Sequence, residues 1–139
     1  MGEPLISVVM SVYNDRNFLQ DALDSILAQS EGNFEFIIVD DASTDGTAEM
    51  IKSYKDQRIR LYVNSENMGL TKNLNKGLKL AKGRYIARMD GDDISYPDRF
   101  RKQLEYLEKH RDIMLVSCWT RFIGESHLIV DMKETPERL

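Results

Sequence analysis

Phe34-Glu35-Phe36-Ile37-Ile38-Val39 runs directly into Asp40-Asp41-Ala42-Ser43-Thr44-Asp45-Gly46-Thr47. The first part is apolar, β-branched and aromatic, and has the length of a buried strand. The second is small and polar, unfit for a core and suited to a loop that enters a helix, with Ser43 or Thr44 as its cap. The same strand-loop-helix reading extends to both sides. Upstream, Ile6 to Tyr13 is a strand that ends at Asn14-Asp15, a natural helix cap. The apolar positions 18, 19, 22, 23, 26 and 27 then recur at helical spacing. Downstream, Ile59 to Val63 alternates as a third strand, and Asn67-Met68-Gly69 turns it into a helix from about Leu70 to Lys82, closed by Gly83 as C-cap.

Arg84 to Met89 is a fourth strand, and Asp90-Gly91-Asp92-Asp93 at its carboxyl end is the densest acidic cluster in the chain. Ser95 and Pro97 start a further helix carrying the stripe Phe100, Leu104, Leu107, and Ile113 to Trp119 is expected as a fifth strand. Strands alternating with amphipathic stretches predict an α/β architecture with a mainly parallel sheet and helices on both faces.

Composition bounds the function. The 139 residues, 42% hydrophobic and 30% charged, are one domain's worth of chain with enough apolar material for a core. A net charge of −4 offers no basic excess for nucleic acid, so an anionic ligand must be held locally or through a metal. One cysteine, Cys118, excludes an internal disulfide and a four-cysteine zinc site, and the two histidines, His110 and His127, make a histidine-rich metal site implausible. Trp119 and Cys118 read as core, His110 as surface. No apolar run approaches the roughly 20 residues of a membrane span, and no secretory signal is readable, which leaves the cytoplasm as the expected compartment.

In an open α/β sheet, ligands bind outside the carboxyl ends of the strands. Three polar sets share that address: Ser11-Val12-Tyr13-Asn14, Asp40-Asp41-Ala42-Ser43 and Asp90-Gly91-Asp92-Asp93. Close carboxylates repel one another unless a cation shares the site, so the third set is either a polar turn or a site for Mg²⁺ or Mn²⁺. Such an ion completes its shell with water and substrate phosphates, which lets an acidic protein hold a diphosphate. Asp40 and Asp41 are either loop polarity or acceptors for a ring N–H such as that of uracil. Tyr13 is either strand packing or a platform for a base. The dinucleotide glycine fingerprint, the P-loop and the G-x-S-x-G elbow are all absent. A response-regulator receiver also places paired aspartates and Mg²⁺ at strand ends, but its pair follows the first strand, where this chain has Val12-Tyr13-Asn14.

Four segments in order resemble the inverting family 2 glycosyltransferases of the GT-A, or nucleotide-diphospho-sugar transferase, fold. They are Ile6 to Asn14; Phe36 to Thr47; Asn67-Met68-Gly69-Leu70 with Asn73, Asn75 and Gly77; and Tyr85 to Asp93. The match covers roughly residues 5 to 122. It implies that Tyr13 stacks on the nucleobase, that Asp41 or Asp40 bonds its imide edge, and that Ser11 lines the base pocket. Asp90 and Asp92 fit the family's D-x-D pair, with Asp90 on the nucleotide side as well and Asp92 the direct ligand of Mn²⁺ or Mg²⁺. Asp93 would support the site from behind.

The implied substrate is a nucleotide-sugar donor, in the first place a UDP-sugar. Its sugar would pass, in hexosyltransferase fashion, to a hydroxyl of a saccharide or lipid-linked acceptor in polysaccharide or glycoconjugate synthesis. The family's general base lies well downstream of the D-x-D, and Glu125, Asp131 and Glu134 fit no such motif, so the base is expected beyond Leu139. Residues 1–139 then read as one donor-binding domain, truncated, with a core at about 5–122 and with 123–139 as a tail or the start of an acceptor-side region. The parent protein would be peripheral at the inner face of a membrane. The competing readings are a non-catalytic nucleotide-binding module and, more distantly, a metal-dependent nucleotidyltransferase.

Overall fold

The computed structural model describes residues 2–123 together with the backbone of residues 129 and 130. It comprises two compact units, Met1–Arg101 and Lys102–Leu139. The first is an α/β layer structure built on β1 (Ile6–Val12), β2 (Phe34–Asp40), β3 (Ile59–Val63) and β4 (Tyr85–Arg88). All four pair in parallel, in the order β3-β2-β1-β4. The central strands explain the continuous apolar runs: β2 is buried along its whole length and β1 at all but one position, as expected where both sheet faces are covered. The edge strands β3 and β4 instead mix half-buried and exposed residues, in strict alternation along β4.

Three connecting helices follow the first three strands: α1 (Arg16–Leu27), α2 (Thr47–Ser53) and α3 (Leu70–Leu80). Right-handed crossovers place α1 and α2 on one face, because β1 to β2 and β2 to β3 advance in the same direction. The step from β3 to β4 runs back past β2 and β1, which puts α3 on the other face. The pleat agrees. Ser7, Val9 and Ser11, alternate residues of one strand face, meet α3 and the segment after it: Gly77 lies against Val9, Asn73 bonds Ser11, and Lys82 and Gly83 bond Ser7. Helix α1 buries Leu19, Ala22, Leu23 and Ile26, while Phe18 stays exposed.

At the amino ends of the strands, buried Glu35 accepts bonds from the Ser7 hydroxyl (2.7 Å) and the Lys82 N–H (2.7 Å), and ion-pairs with Arg60 at 3.3 Å. Glu35, the charge within the apolar stretch Phe34–Val39, is thus a fastener for the return from α3 to β4.

Several local expectations are corrected. Helix α3 ends at Leu80 with Ala81 already extended, so Gly83 is not its C-cap. Its role is close approach to β1. The helix after the acidic turn, α4 (Arg99–Lys109), starts beyond Ser95 and Pro97. Ser95 is instead buried, its N–H donating to Ser25 Oγ and its hydroxyl accepting from Gln29, while the Pro97 carbonyl accepts from Ser30. Neither Ser43 nor Thr44 caps α2. The position before that helix is Gly46, and Asp45 bonds the Thr47 N–H and hydroxyl at the helix start.

In the second unit, Ile113 to Trp119 forms no strand; the described strands there are β5 (Thr120–Arg121) and β6 (Ile129–Val130), paired antiparallel. An apolar run becomes a strand only when a ladder partner receives it. Among the described residues none does, and Met114 and Leu115 are 92% and 86% exposed. Trp119 and Cys118 are likewise exposed rather than core, whereas His110 is at the surface as expected.

Candidate functional site

The strand order reverses at β1, with β2 and β3 added on one side and β4 on the other. Loops leaving the carboxyl ends of β1, β2 and β4 therefore converge, the arrangement in which open α/β sheets bind ligands. Backbone bonds tie the end of β2 to both of its neighbours: the Asp41 N–H donates to the Val12 carbonyl of β1 (2.9 Å), and the N–H of Asn64, just past β3, to the Asp40 carbonyl (2.8 Å). Asn14, at φ 56°, is pinned across the gap to the next loop. Its N–H donates to Ser43 Oγ (3.0 Å) and its Oδ1 accepts from the Thr44 N–H (2.9 Å).

Tyr13 sits immediately past β1 and is 49% exposed, which rules out strand packing as its main role. Asp15 occupies the cap position of α1, yet its side chain makes no capping bond there and turns back to accept from the Tyr13 N–H at 3.1 Å. That orientation brings Asp15 against the acidic turn. A side chain at Gly91 would lie 3.0 Å from Asp15 Oδ2 and from Val12 Cγ1, so the glycine between Asp90 and Asp92 is what allows the turn to rest on the β1 loop.

The carboxylates gathered here repel one another. Burial pushes the Asp15 carboxyl up from its ordinary value, against the bond from the Tyr13 N–H and with the charges of Asp92, Asp45 and Asp40 adding to the rise. Burial, then Asp92 and Asp90, do the same to Asp93, against a smaller opposing pull from Arg99 and Arg88. Asp90 forms an exposed pair with Arg88 (3.0 Å), of the kind that contributes little and exchanges readily. Asp40 is fully buried. Its Oδ1 accepts from the Ser43 N–H and hydroxyl, and its Oδ2 is buried without a hydrogen-bond partner. A cluster of hard oxygen donors with excess negative charge and an unpartnered buried carboxylate oxygen suits a divalent cation. Among the described residues no group of three or more His, Cys, Asp or Glu could enclose one. Such an ion would take part of its shell from water and phosphate, as Mg²⁺ and Mn²⁺ sites that work on phosphates do.

Asp41 is also buried, but its situation differs. Oδ1 accepts from Asn64 Nδ2 (2.9 Å) and the Met68 N–H (2.8 Å), and Oδ2 from the Gly69 N–H (2.8 Å). The carboxylate thereby fixes the turn into α3, where Gly69 takes φ 87°. Burial raises the carboxyl, but the bonds from Met68, Asn64 and Gly69, with the Asn73 amide close by, outweigh it and hold the group below its ordinary value. A depressed folded value means stability that is present above the unfolded value of about 3.9 and lost as pH falls through the folded value below it. Asp41→Asn, which cannot ionise, is expected to be less stable than the parent by about 2 kcal/mol at pH 7. That gap should narrow below pH ~4. Urea denaturation of both proteins at pH 7 and pH 3 checks this; an equal gap at the two values would contradict it.

Residues 7–138 match the family model described as glycosyl transferase family 2. The chain belongs to that family. A glycosyltransferase by provisional assignment, EpsE of Bacillus subtilis, is 47% identical over 116 residues, which is 81% of this chain and 42% of EpsE. An uncharacterized glycosyltransferase of Methanocaldococcus jannaschii is 42% identical over 130 residues, 91% of this chain and 45% of that protein. Among solved structures, S. aureus TarS 1-349 in complex with UDP-GlcNAc superposes with a TM-score of 0.72 at 26% identity, covering 76% of this chain and 32% of that one. The mannosyltransferase PcManGT from Pyrobaculum calidifontis, in complex with GDP-Man and Mn²⁺, gives 0.68 at 26% identity, covering 77% and 33%. The chain thus spans less than half the length of these relatives, and its α/β layer is the GT-A fold of the family 2 glycosyltransferases.

Of the residues singled out in the sequence, Ser11, Tyr13, Asp40, Asp41, Asp90, Asp92 and Asp93 all stand at this one rim of the first unit. Glu125, Asp131 and Glu134 lie outside the described residues. Sequence reading missed Asp15 as a site residue, because an aspartate before an amphipathic run reads as a helix cap. It also missed Asn64 and Lys76, whose roles are set by contacts across the fold. No described helix is long and apolar enough to cross a membrane.

Proposed function

We propose that this rim binds a nucleotide-diphospho-sugar together with Mn²⁺ or Mg²⁺, as the donor site of a glycosyltransferase. The observation that carries the reading is the convergence of an exposed aromatic, two buried carboxylates and a mutually repelling acidic turn at the ends of β1, β2 and β4. Tyr13 offers its ring to the base. Asp41 or Asp40 accepts the imide N–H, and Ser11 lines the base pocket. Asp92 and Asp90 would hold the ion, with Asp90 also on the nucleotide side and Asp93 behind them. When bound, the ion supplies charge neutralisation on the departing nucleoside diphosphate. TarS with UDP-GlcNAc and PcManGT with GDP-Man and Mn²⁺ support this assignment, and a UDP-sugar is the donor we favour.

In the transfer, an acceptor hydroxyl forms a bond to the anomeric carbon as the bond from that carbon to the diphosphate breaks on the opposite face. The hydroxyl proton goes to a general base, and the nucleoside diphosphate leaves. The acceptor is a saccharide or lipid-linked hydroxyl in polysaccharide or glycoconjugate synthesis, with the parent protein peripheral at the inner membrane face.

Calorimetric titration with UDP, GDP and ADP, with and without Mn²⁺, tests the reading. Binding of UDP that requires the ion and weakens about tenfold in Tyr13→Ala is expected, from a stacking contribution of ~1–3 kcal/mol. A folded protein that binds none of the three nucleotides would contradict it.

A further inference from the structure

Behind the rim runs a chain of side-chain hydrogen bonds whose polarity is fixed from its far end. Lys76, on α3, donates from Nζ to Asn64 Oδ1 at 2.7 Å. An ammonium has no acceptor, so it holds the Asn64 amide with its oxygen toward α3 and its nitrogen toward the interior. Asn64 is buried, and both of its Nδ2 hydrogens are committed, one to Asp41 Oδ1 (2.9 Å) and one to Asn73 Oδ1 (2.7 Å). Asn73, also buried, must then present its own nitrogen on its other side, where it donates to Ser11 Oγ at 3.1 Å. The amide orientations are therefore not free choices. A flipped Asn64 would set an oxygen against the Asp41 carboxylate and a donor against the ammonium. A flipped Asn73 would set two amide nitrogens against each other.

The two ends of this chain differ in character. Ser11 accepts a bond from Asn73, so its own hydrogen remains to be donated. Asp41, with three donors on its two oxygens, keeps acceptor capacity at Oδ2 and has nothing to donate. A hydroxyl donor and a carboxylate acceptor at the two ends of one hydrogen-bond chain match a base edge that carries a carbonyl next to a ring N–H, as in uracil and guanine. They mismatch cytosine and adenine, whose ring nitrogen accepts and whose exocyclic group donates. We infer that Lys76, Asn64 and Asn73 are positioning residues that set base selectivity, holding Ser11 as a donor and Asp41 as an acceptor so that the site takes keto-imide bases and rejects amino-substituted ones.

This inference rests on the rim being the nucleotide site, and the test separates the two claims. UDP, GDP, CDP and ADP are titrated in Mn²⁺ against the parent protein, Lys76→Met, Lys76→Arg and Asn73→Asp, with circular dichroism confirming the fold of each. The parent is expected to prefer UDP or GDP over CDP and ADP by at least about tenfold, the effect of one mismatched hydrogen bond. Lys76→Met frees the Asn64 amide to turn, and Asn73→Asp replaces the donor to Ser11 with an acceptor, so both should reduce the ratio of UDP to CDP affinity about tenfold. Lys76→Arg, another cation without acceptors, should retain the ratio. If Asn73→Asp does not fold, Lys76→Met against Lys76→Arg decides alone. A parent preference that Lys76→Met leaves intact would overturn the polarity chain while the donor site stands. Absence of any nucleotide binding by the folded parent would overturn both.

Discussion

Gly83→Ala is expected to destabilise the first unit by about 3 kcal/mol, at the upper end of what overpacking usually costs. A methyl group there would lie 2.5 Å from the Ser7 backbone nitrogen and 2.6 Å from the Ile6 carbonyl carbon. Neither can move without disturbing β1, which is the strand that both β2 and β4 pair with. The same shift would stretch the bonds by which the Lys82 and Gly83 N–H groups hold Ser7 Oγ, at 3.2 and 2.8 Å. Gly77→Ala provides the contrast. The nearest atoms to its methyl all belong to the Val9 side chain, Cγ1 at 2.4 Å, rather than to the backbone, so a smaller cost of about 1–2 kcal/mol is expected. Urea midpoints of the two variants check the ranking. Equal stabilities, or a Gly83→Ala protein as stable as the parent, would refute the close-approach role.

Asp92→Ala should remove the metal-dependent part of nucleotide binding, a loss of about 100-fold in UDP affinity in Mn²⁺ with little change in its absence. The reasoning is electrostatic. Asp92 is the charge that acts on both Asp15 and Asp93, so it stands at the centre of the repelling group that a cation would relieve. Removing it relieves that repulsion without an ion. Asp92→Ala is accordingly expected to be no less stable than the parent at pH 7 when metal is absent. Addition of Mn²⁺ should raise the melting temperature of the parent and not of the variant. If Asp92→Ala bound UDP with unchanged affinity and metal dependence, the acidic turn would be a turn and nothing more.

The sheet was legible in the sequence because its two central strands are buried on both faces and therefore read as unbroken apolar runs, as in Phe36 to Val39. Strand ends were legible too, since Tyr13-Asn14, Asp40-Asp41 and Asp90 to Asp93 are residues that a core refuses. What failed were readings in which one letter serves two physical purposes. Glycine after a helix is either a C-cap or a point of close approach, and only the proximity of β1 decides for the second at Gly83. Serine followed by proline suggested a helix start at Ser95, but the hydroxyl of Ser25 and the amide of Gln29 claim its polar groups. Ile113 to Trp119 has the composition of a strand, and a strand also requires a neighbour.

The site shows the same division. The candidates on strand ends follow from position and from the resemblance to a known family, and the fold brings them to one rim. The supporting network does not follow from either, because Lys76 and Asn64 are ordinary helix and loop letters until α3 is laid across β1 and β2. Asp15 was hidden behind its resemblance to a cap.

The central claim is that three loops far apart in sequence form one metal-nucleotide site. Paramagnetic broadening by Mn²⁺ in the presence of UDP, read on the backbone amides of isotopically labelled protein, tests it most directly. The account predicts broadening at Tyr13 to Asp15, Asp40 to Ser43 and Gly91 to Asp93 together, lost in Asp92→Ala. Broadening confined to the acidic turn, or centred away from these three loops, would contradict it.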